Sequence, residues 1–316
     1  MVEPSPTLVV AAFQTAMTKL RALQIQSPPL PPIHRHLMIK PALQDEAFLA
    51  DVANAGADRA PGQLFVWWLG QSGFLLGHQG EFLLFDPYLS DSLTRKYGTT
   101  DKPHVRMTER VVDPARLGFV SVVTSSHTHT DHLDADTLVP LLTASREARL
   151  VAPGANGSFI EQRLGSVIQG RLVLLADGQR ATIGSFSLET VPAAHEKRQP
   201  EFAGFIVSVG SFRIYHSGDT VRFPGMAERL RPFAVDLALL PINGSRPERR
   251  VAGNLDGPEA AALAHDIGAR WVVPCHYEMF EFNTASPAAF VASCTKLGQR
   301  HAMLRAGERW TLTAGT

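Results

Sequence analysis

Short apolar runs occur along the chain between Gln63 and Ser125. The runs are rich in aromatic and β-branched residues, are each about four to six residues long, and are mostly divided by glycine-containing turns, which is typical of a meander of β-strands. The predicted strands are Phe65–Leu69, Phe74–Gly77, Glu81–Asp86 and Val120–Ser125. The last of these runs directly towards His127, so a polar cluster follows the end of this strand.

Beyond His132, strand-like and helix-like segments alternate. Helices are predicted around Asp134–Ser145, near 222–231 and at 257–267, and strands near 149–153, 171–176, 180–192, 203–217, 235–241 and 271–275. The helix at 257–267 has the clearest bounds, because Asp256 is a suitable N-cap, Pro258 fits the first turn and Gly268 can end the helix. This order predicts an α/β protein in which two sheets flanked by helices form one domain.

Residues 1–60 have a different pattern. Residues 6–25 have the periodicity of a short amphipathic helix, and a second helical pattern covers about Gln44–Ala55. Between them, the proline-rich segment Ser27–Pro32 interrupts regular structure, since proline fixes φ and lacks a backbone donor. We therefore expect residues 1–60 to be a helical extension with a proline-rich linker, packed on or tethered to a main domain of residues 61–316.

Composition narrows the class of protein. Hydrophobic residues make up 45% and charged residues 19% of the chain, as in globular proteins with a core. The 30 Lys and Arg balance the 30 Asp and Glu, which argues against a nucleic-acid binder with a broad basic face. The two cysteines, Cys275 and Cys294, match neither a zinc-ribbon nor a redox spacing. No apolar run reaches about 18 residues, and Glu3 precedes Leu8–Phe13 where a signal peptide would carry basic residues, so we expect a cytoplasmic protein without a membrane span.

Three histidines and an aspartate lie within six residues, in the run His127-Thr128-His129-Thr130-Asp131-His132. Residues two apart in an extended turn point the same way, so His127 and His129 can bind one cation while Asp131 and His132 face a second. Imidazole nitrogens and carboxylate oxygens are ligands for Zn²⁺, Mn²⁺ or Fe, and this run offers no thiolate. The pattern predicts a metal site.

Further candidate ligands lie at later strand ends. His195 follows the apolar run Phe186–Val191, Asp219 follows a glycine that allows a sharp turn, and His276 follows Trp271–Cys275. Each is weak evidence alone, because a single histidine at a strand end is more often structural. Together they add one carboxylate that can bridge and two imidazoles, which completes two sites of about four ligands each.

These motifs resemble those of the metallo-β-lactamase superfamily from about Ala60 to Pro287. Within the superfamily, the chain is most similar to the L-ascorbate-6-phosphate lactonase-like branch. The stretches that carry the resemblance are Ala60-Pro61-Gly62, Trp67-Trp68-Leu69-Gly70, Phe85-Asp86-Pro87-Tyr88-Leu89-Ser90, Tyr215-His216-Ser217-Gly218-Asp219-Thr220, Leu240-Pro241-Ile242-Asn243-Gly244 and Pro274-Cys275-His276-Tyr277.

The resemblance implies a four-layer αββα sandwich with a dinuclear metal site at one edge. The implied ligands are His127, His129 and His195 for one divalent cation, Asp131, His132 and His276 for the other, and Asp219 as the bridge. Zinc is the expected metal, with manganese or iron as alternatives. Asp86 would orient a ligand imidazole through its free N–H, with a simple Asp-Pro turn as the alternative. His195 is a departure: the lactonase has a carboxylate at about this position, so the chain can share the branch without sharing the substrate.

A hydroxide between the two cations would be the nucleophile, because a metal pair lowers the pKa of bridging water towards about 7. Asp131 would orient or deprotonate that water, and Tyr277 is a candidate donor to the developing oxyanion, with simple packing as its alternative. Four basic residues close in sequence to ligands or strand ends are candidates for binding an anionic group of the substrate, with solvated loop cations as the alternative: Lys197, Arg198, Arg222 and Arg246.

The expected function is therefore metal-dependent hydrolysis of a small molecule, namely a lactone or related cyclic ester such as a phosphorylated sugar lactone. A phosphodiesterase of the phospholipase D-like or RNA-processing type is the second interpretation, and a non-catalytic metal-binding scaffold is the third. No nucleic-acid partner is expected, since the net charge is zero and no long basic insertion is present. The oligomeric state is left open, with a homo-oligomer as one alternative.

Overall fold

The computed structural model describes residues 38–195 and 197–315, so the helix predicted at 6–25 and the segment Ser27–Pro32 lie outside the described residues. The helices in the described part are α1 Asp45–Ala57, α2 Ser92–Tyr97, α3 Ala135–Ala144, α4 Gly157–Leu164, α5 Met226–Leu230, α6 Gly257–Asp266 and α7 Ala288–Leu297. The strands are β1 Gln63–Gly70, β2 Gly73–His78, β3 Glu81–Phe85, β4 Val122–Thr124, β5 Arg149–Pro153, β6 Leu172–Leu175, β7 Arg180–Ile183, β8 Phe186–His195, β9 Lys197–Val209, β10 Phe212–His216, β11 Leu237–Pro241, β12 Trp271–Cys275 and β13 Arg309–Thr313.

These strands form two mixed sheets. The first has the order β13-β1-β2-β3-β4-β5-β6, and the second has the order β12-β11-β10-β9-β8-β7. One apolar core includes buried side chains of both sheets and of the helices, among them Trp67, Phe74, Phe205 and Leu239. The α/β sandwich predicted from the sequence is confirmed.

Strand direction brings the polar strand ends of each sheet to one edge. In the first sheet β3 and β4 are parallel, and β1 runs the same way because β1 and β3 are both antiparallel to β2. In the second sheet β10, β11 and β12 are parallel, and β8 runs with them because β8 and β10 are both antiparallel to β9. The residues that follow these strand ends are Gln71, Asp86 and His127 in the first sheet and Asp219 and His276 in the second, where His195 itself ends β8.

Helix α1 confirms the helix predicted near Gln44–Ala55, and it is part of the core. Phe48, Val52 and Ala55 are buried on its inner face, and Asp51 accepts a hydrogen bond from the Trp67 indole at 2.8 Å. The predicted helix at 257–267 is confirmed as α6, where Asp256 and Glu259 form a reciprocal capping box.

Two predicted strands are in fact hairpins. The segment predicted at 180–192 contains β7 and β8, which turn at Gly184, and the segment at 203–217 contains β9 and β10, which turn at Gly210. Both glycines have positive φ, +57° and +53°. Glycine adopts this conformation without a Cβ clash, so apolar runs that look continuous in the sequence reverse direction there. Helices α2, α4 and α7 and strand β13 were not predicted.

None of the helices between residues 38 and 315 has the length and apolar character needed to cross a membrane.

Candidate metal centre

Three histidine rings converge at the first half of the site. His127 and His129 come from the loop after β4, and His195 comes from the end of β8, with ring centroids 4.6 to 5.2 Å apart. One ring nitrogen from each lies within 4.8 Å of the others. The Nδ1 of His195 contacts the Gly253 carbonyl at 3.1 Å, which leaves Nε2 to face the cluster. Phe202 packs against all three rings.

The second group of the site consists of Asp131, His132, Asp219 and His276. The Nε2 atoms of His132 and His276 each lie 3.3 Å from an oxygen of Asp219 and 3.6 Å from Oδ2 of Asp131. One ligand atom from each of the four residues lies within 4.8 Å of the others. The structure therefore brings together all seven residues that the sequence predicts as ligands, in two adjacent groups.

Asp219 lies between the two groups. Its Oδ2 is 3.3 Å from Nε2 of His276 in the second group and 3.9 Å from Nε2 of His195 in the first. Gly218, with φ of +58°, makes this placement sterically feasible: a Cβ there would lie 2.5 Å from the Ser126 Cβ and 3.0 Å from the Ala203 carbonyl oxygen. A carboxylate in this position can contact both groups at once.

Asp86 contacts the His132 ring on the side away from the second group. Its carboxylate is fully buried, lies 2.8 Å from His132 Nδ1, and accepts hydrogen bonds from the Thr124 hydroxyl at 2.7 Å and from the backbone N–H and hydroxyl of Ser126. The adjacent ends of β3 and β4 produce this contact. Because His132 Nδ1 donates to Asp86, its Nε2 faces the second group.

The carboxylates and imidazoles of the second group shift one another's pKa values. Burial opposes the charge of His276 and His132, but Asp219 and Asp131 outweigh it and raise the pKa of His276 to about 9 and that of His132 well above its ordinary value. Burial also opposes the charge of Asp219, and the two imidazolium rings nevertheless lower its pKa well below the usual range. In the first group, burial dominates and lowers the pKa of His127 and His195.

Three buried polar atoms of the two groups make no hydrogen bond of good geometry to another described residue: Nε2 of His127, Nε2 of His132 and Oδ1 of Asp219. The last two face each other at 3.3 Å. Buried polar atoms are normally satisfied, and imidazole nitrogens and carboxylate oxygens that converge without partners fit divalent cations. The donor set of the two groups thus suits a pair of such ions.

Gln71 also reaches the second group, although the sequence prediction did not include it. Its side chain is buried, and Nε2 lies 2.8 Å from Oδ2 of Asp131 and 2.9 Å from Nε2 of His276. Its backbone carbonyl accepts from the His276 N–H and from the Trp68 indole, both at 3.0 Å. Gln71 follows β1 directly, so the strand-end signal that identified His195 and His276 was present here too.

Five of the seven candidate ligands line a cavity of about 390 Å³, namely His129, Asp131, His195, Asp219 and His276. The other residues that line it include Lys96, Tyr97, His104, Phe159, Arg163, Val251, Phe280, Phe282 and Asn283. The ring of His104 stacks on Tyr97 at 4.3 Å and packs edge-on against Phe282.

Tyr277 does not fit the role of oxyanion donor that was predicted for it. Its hydroxyl is buried and donates to the Leu304 carbonyl at 2.9 Å, and its ring stacks on Trp68 at 4.6 Å. The residue does not line the cavity above the histidines. Tyr277 therefore packs in the core, which was the alternative interpretation.

The four predicted anion-binding cations also lie outside this cavity. Arg222 pairs with Asp266, Arg198 lies 3.7 Å from Asp177, Lys197 is exposed on β9, and Arg246 is exposed beside a separate groove. Closeness in sequence to a ligand did not bring these side chains to the cavity. The basic side chains that line it are Lys96 and Arg163, which come from α2 and α4, helices that were not predicted.

Comparison with known families agrees with this architecture. The family model of the beta-lactamase superfamily domain matches residues 82–277, which include all seven candidate ligands. The chain belongs to the metallo-β-lactamase superfamily. Membership of the lactonase-like branch remains a prediction.

Two relatives show the degree of sequence similarity. An uncharacterised protein of Mycobacterium tuberculosis is 30% identical over 264 residues, which cover 78% of this chain and 66% of that protein. This chain therefore spans about two thirds of the length of that relative. A UPF0173 metal-dependent hydrolase of Hyperthermus butylicus is 27% identical over 227 residues, covering 71% of this chain and 87% of that protein.

Among solved structures, Igni18, described as a novel metallo hydrolase from the archaeon Ignicoccus hospitalis, is similar with a TM-score of 0.59 and 20% identity. The match covers 79% of this chain and 98% of that one. At this level of identity the likeness shows a shared fold.

Proposed function

We propose that this chain is a metal-dependent hydrolase that opens a lactone or related cyclic ester with a hydroxide activated by two divalent cations. The observation that carries the proposal is the position of Asp219, whose carboxylate contacts His195 of the first group and His132 and His276 of the second. A bridging carboxylate between two sets of open imidazole nitrogens is the arrangement that a dinuclear centre requires. The superfamily and its relatives named as metal-dependent hydrolases support the same conclusion.

The residues of the two groups would have distinct roles. His127, His129 and His195 would hold one cation, Asp131, His132 and His276 would hold the other, and Asp219 would bridge them. Zinc suits this nitrogen and oxygen donor set best, with manganese or iron as alternatives. When bound, the cation pair supplies an acidified water as nucleophile and an electrophile for the substrate oxygen.

Other side chains would prepare this chemistry. Asp131 lines the cavity and is held by Gln71, so one of its oxygens can orient the attacking water and accept its proton. Asp86 fixes the tautomer and direction of His132 from behind. The Gly253 carbonyl does the same for His195.

A phosphodiesterase is the second candidate. The observation that favours it is that Lys96 and Arg163 line the cavity, where they could face the charge of a phosphodiester. A non-catalytic metal-binding scaffold has no observation of its own in its favour.

The test combines metal content with turnover. After reconstitution with zinc, elemental analysis of the full chain is expected to find about two ions per chain. The loaded protein is then assayed on a panel of lactones and on bis-p-nitrophenyl phosphate. Lactone turnover supports the first candidate, diester turnover the second, and inactivity on the whole panel the scaffold.

The variant Asp219→Asn keeps the size of the side chain and removes its charge. We expect it to lose at least one ion per chain and to lower kcat/KM by at least about 100-fold, because neither cation keeps its shared anionic ligand. Asp177→Asn, at an exposed carboxylate outside the cavity, is the matched control and should change neither quantity. A wild-type chain that holds a single ion, or an Asp219→Asn variant with full turnover, would refute the dinuclear mechanism.

A further inference from the structure

The charges around the cavity are asymmetric. Apart from the histidines and from Asp131 and Asp219 of the candidate metal centre, the ionisable side chains that line it and carry a full charge are Lys96 and Arg163, both cationic. Neither forms an ion pair with a carboxylate of the described residues. The surface arginines Arg95 and Arg222, by contrast, pair with Asp136 and Asp266.

Arg163 is fixed beside the histidine loop and still has free donors. One of its terminal nitrogens, Nη1, donates to the carbonyls of Thr128 and Leu133, both at 3.0 Å. The guanidinium also lies over the Phe159 ring at 4.4 Å. No hydrogen bond of Nε or Nη2 to another described residue is found, so these donors remain for a ligand. A planar guanidinium held in this way is prepared for a carboxylate or phosphate.

Lys96 belongs to an aromatic wall of the cavity. Its ammonium lies 4.9 Å from the centre of the Tyr97 ring, and Tyr97 stacks on His104. His104 in turn packs edge-on against Phe280 and Phe282, with centroid distances of 5.2 and 4.4 Å. This wall offers flat apolar surface with a positive charge at its outer end.

Apolar side chains are also exposed at the cavity. Phe159 is 40% exposed and Val251 is 36% exposed, and both line the cavity together with the aromatic wall. Exposed large apolar residues gathered around a concave site are typical of a ligand-contact surface. Apolar surface and unpaired positive charge therefore face the same small volume.

We propose, building on the proposed function, that the substrate is an amphipathic acid: a lactone or ester with an apolar ring or chain and a separate carboxylate or phosphate group. The apolar part contacts Phe159, Tyr97 and Phe282, and the anionic group binds Arg163, with Lys96 contributing long-range attraction. Carboxylate and phosphate share the chemistry that a guanidinium recognises, and the experiment separates them.

The test uses three γ-phenyl-γ-butyrolactones that differ only at the para position of the ring, which carries a carboxylate, a phosphate monoester or an uncharged carboxamide. On the zinc-loaded full chain, we expect kcat/KM to be at least about tenfold higher for an acidic lactone than for the carboxamide, since a hydrogen bond to a charged partner contributes about 1.5–3 kcal/mol. The faster of the two acidic lactones identifies the anionic group.

Variants then locate the effect. Arg163→Gln should lower kcat/KM for the acidic lactone by a larger factor than for the carboxamide, mainly through KM, and so remove most of the preference for the acid. Lys96→Gln should reduce the preference by a smaller factor, because Lys96 is exposed. Arg222→Gln and Arg198→Gln are the matched controls, because these arginines lie outside the cavity, and neither should change the preference.

Binding provides a second readout that does not depend on turnover. Isothermal titration of the same loaded proteins with 4-ethylbenzoate, 4-ethylphenyl phosphate and 4-ethylbenzamide should show an acid preference in the wild type that falls in Arg163→Gln and persists in Arg222→Gln. If none of the lactones is hydrolysed but this pattern appears, the proposed function fails and the ligand class stands. The ligand class is overturned if the wild type binds the acids and the amide with equal affinity. It is also overturned if Arg163→Gln lowers the affinity for the acids and for the amide by the same factor.

Discussion

Three histidine rings of the site are each directed by the partner of their other nitrogen. His132 contacts Asp86, His195 contacts the Gly253 carbonyl, and His127 contacts the Ser126 hydroxyl, in each case through Nδ1. The three Nε2 atoms are therefore left to face the candidate metal centre. The contact of Asp86 could be predicted, because it ends a strand in a known motif. The contact of Gly253 could not, since the sequence shows no signal for a backbone carbonyl 58 positions away.

Gln71 provides a prediction at this scale. Its carboxamide donates to Asp131, and its backbone has a positive φ of +49°, which is uncommon for a residue other than glycine. Gln71→Leu removes the donor at nearly constant volume, so Asp131 loses the contact that orients it. We expect about a 10- to 100-fold loss of affinity for one of the two proposed zinc ions, measured by isothermal titration.

The control for Gln71 is Gln162→Leu, an exposed position on α4, which should leave both affinities unchanged. Two unchanged zinc affinities in Gln71→Leu would show that Asp131 is oriented without Gln71.

His104 gives the pH dependence expected of a partly buried imidazole. Burial lowers its pKa below the ordinary value of 6.5, more than its contact with the Lys102 carbonyl raises it. As the pH falls below about 6.5, the unfolded chain takes up this proton before the folded chain does, so the free energy of unfolding decreases down to the folded pKa. His104→Phe keeps a ring beside Tyr97 and removes that contribution.

The measurement compares unfolding midpoints of the two proteins at about pH 7.5 and about pH 5, with zinc held constant. The decrease should be smaller in His104→Phe than in the wild type. Equal decreases would mean that His104 titrates alike in the folded and unfolded chain.

At the scale of elements, strands were easier to predict than the short helices between them. The strands β1 to β5 stand out in the sequence as nearly continuous apolar runs, because both faces of these strands are largely buried. The short helices have no such run. Helix α4, Gly157–Leu164, has eight residues, begins with glycine, and buries few of its side chains. Its apolar pattern, Ile160 and Leu164, covers only about two turns, which is too short to identify a helix from periodicity, and so Phe159 and Arg163 were missed together with the helix that carries them.

Helix α1 supports a prediction about the N-terminal extension, whose boundary at residue 60 remains a prediction. Phe48 is fully buried and packs edge-on against Trp67. Phe48→Ala should therefore lower the free energy of unfolding by about 3–5 kcal/mol, as removal of a buried phenylalanine ring does. Urea denaturation of the zinc-loaded protein measures this change.

Asn54→Gln, on the exposed face of the same helix, should change the free energy of unfolding by less than about 0.5 kcal/mol. A similarly small effect of Phe48→Ala would mean that α1 can detach from the domain without destabilising it.

At the scale of the whole molecule, the resemblance predicted the fold correctly. The ligand motif combined with the order of strands is specific to this fold. The cavity walls were not predicted, since they bring together three segments distant in the chain, around Lys96 and His104, around Phe159 and around Phe282. Such convergence depends on loop conformations, for which a single sequence carries weak signals.

Every proposed ligand lies beyond residue 126, and Ile39 pairs with Thr108 in the main body. Deletion of residues 1–37 should therefore leave the zinc content unchanged. We expect the shortened chain to change in oligomeric state, thermal stability or substrate affinity, because an amphipathic helix of the length predicted at 6–25 is marginal in water unless it buries its apolar face.

Light scattering, thermal melting and kinetics on the shortened protein check these quantities against the full chain. Loss of zinc would place residues 1–37 in the catalytic core, and a protein unaltered in every measurement would make them dispensable.

Each ligand group contains residues from both sheets, so metal binding depends on the order in which the sheets fold and dock. The loop after β4 supplies His127, His129, Asp131 and His132 from the first sheet, whereas His195, Asp219 and His276 come from the second. Neither of the proposed cations can be enclosed until the sheets have docked, so we expect tight zinc binding to follow the docking step and the main folding barrier. Zinc should then slow the unfolding of the native chain many-fold in stopped-flow experiments while leaving its refolding rate nearly unchanged. The bound ions would then make the native state kinetically stable without accelerating its formation.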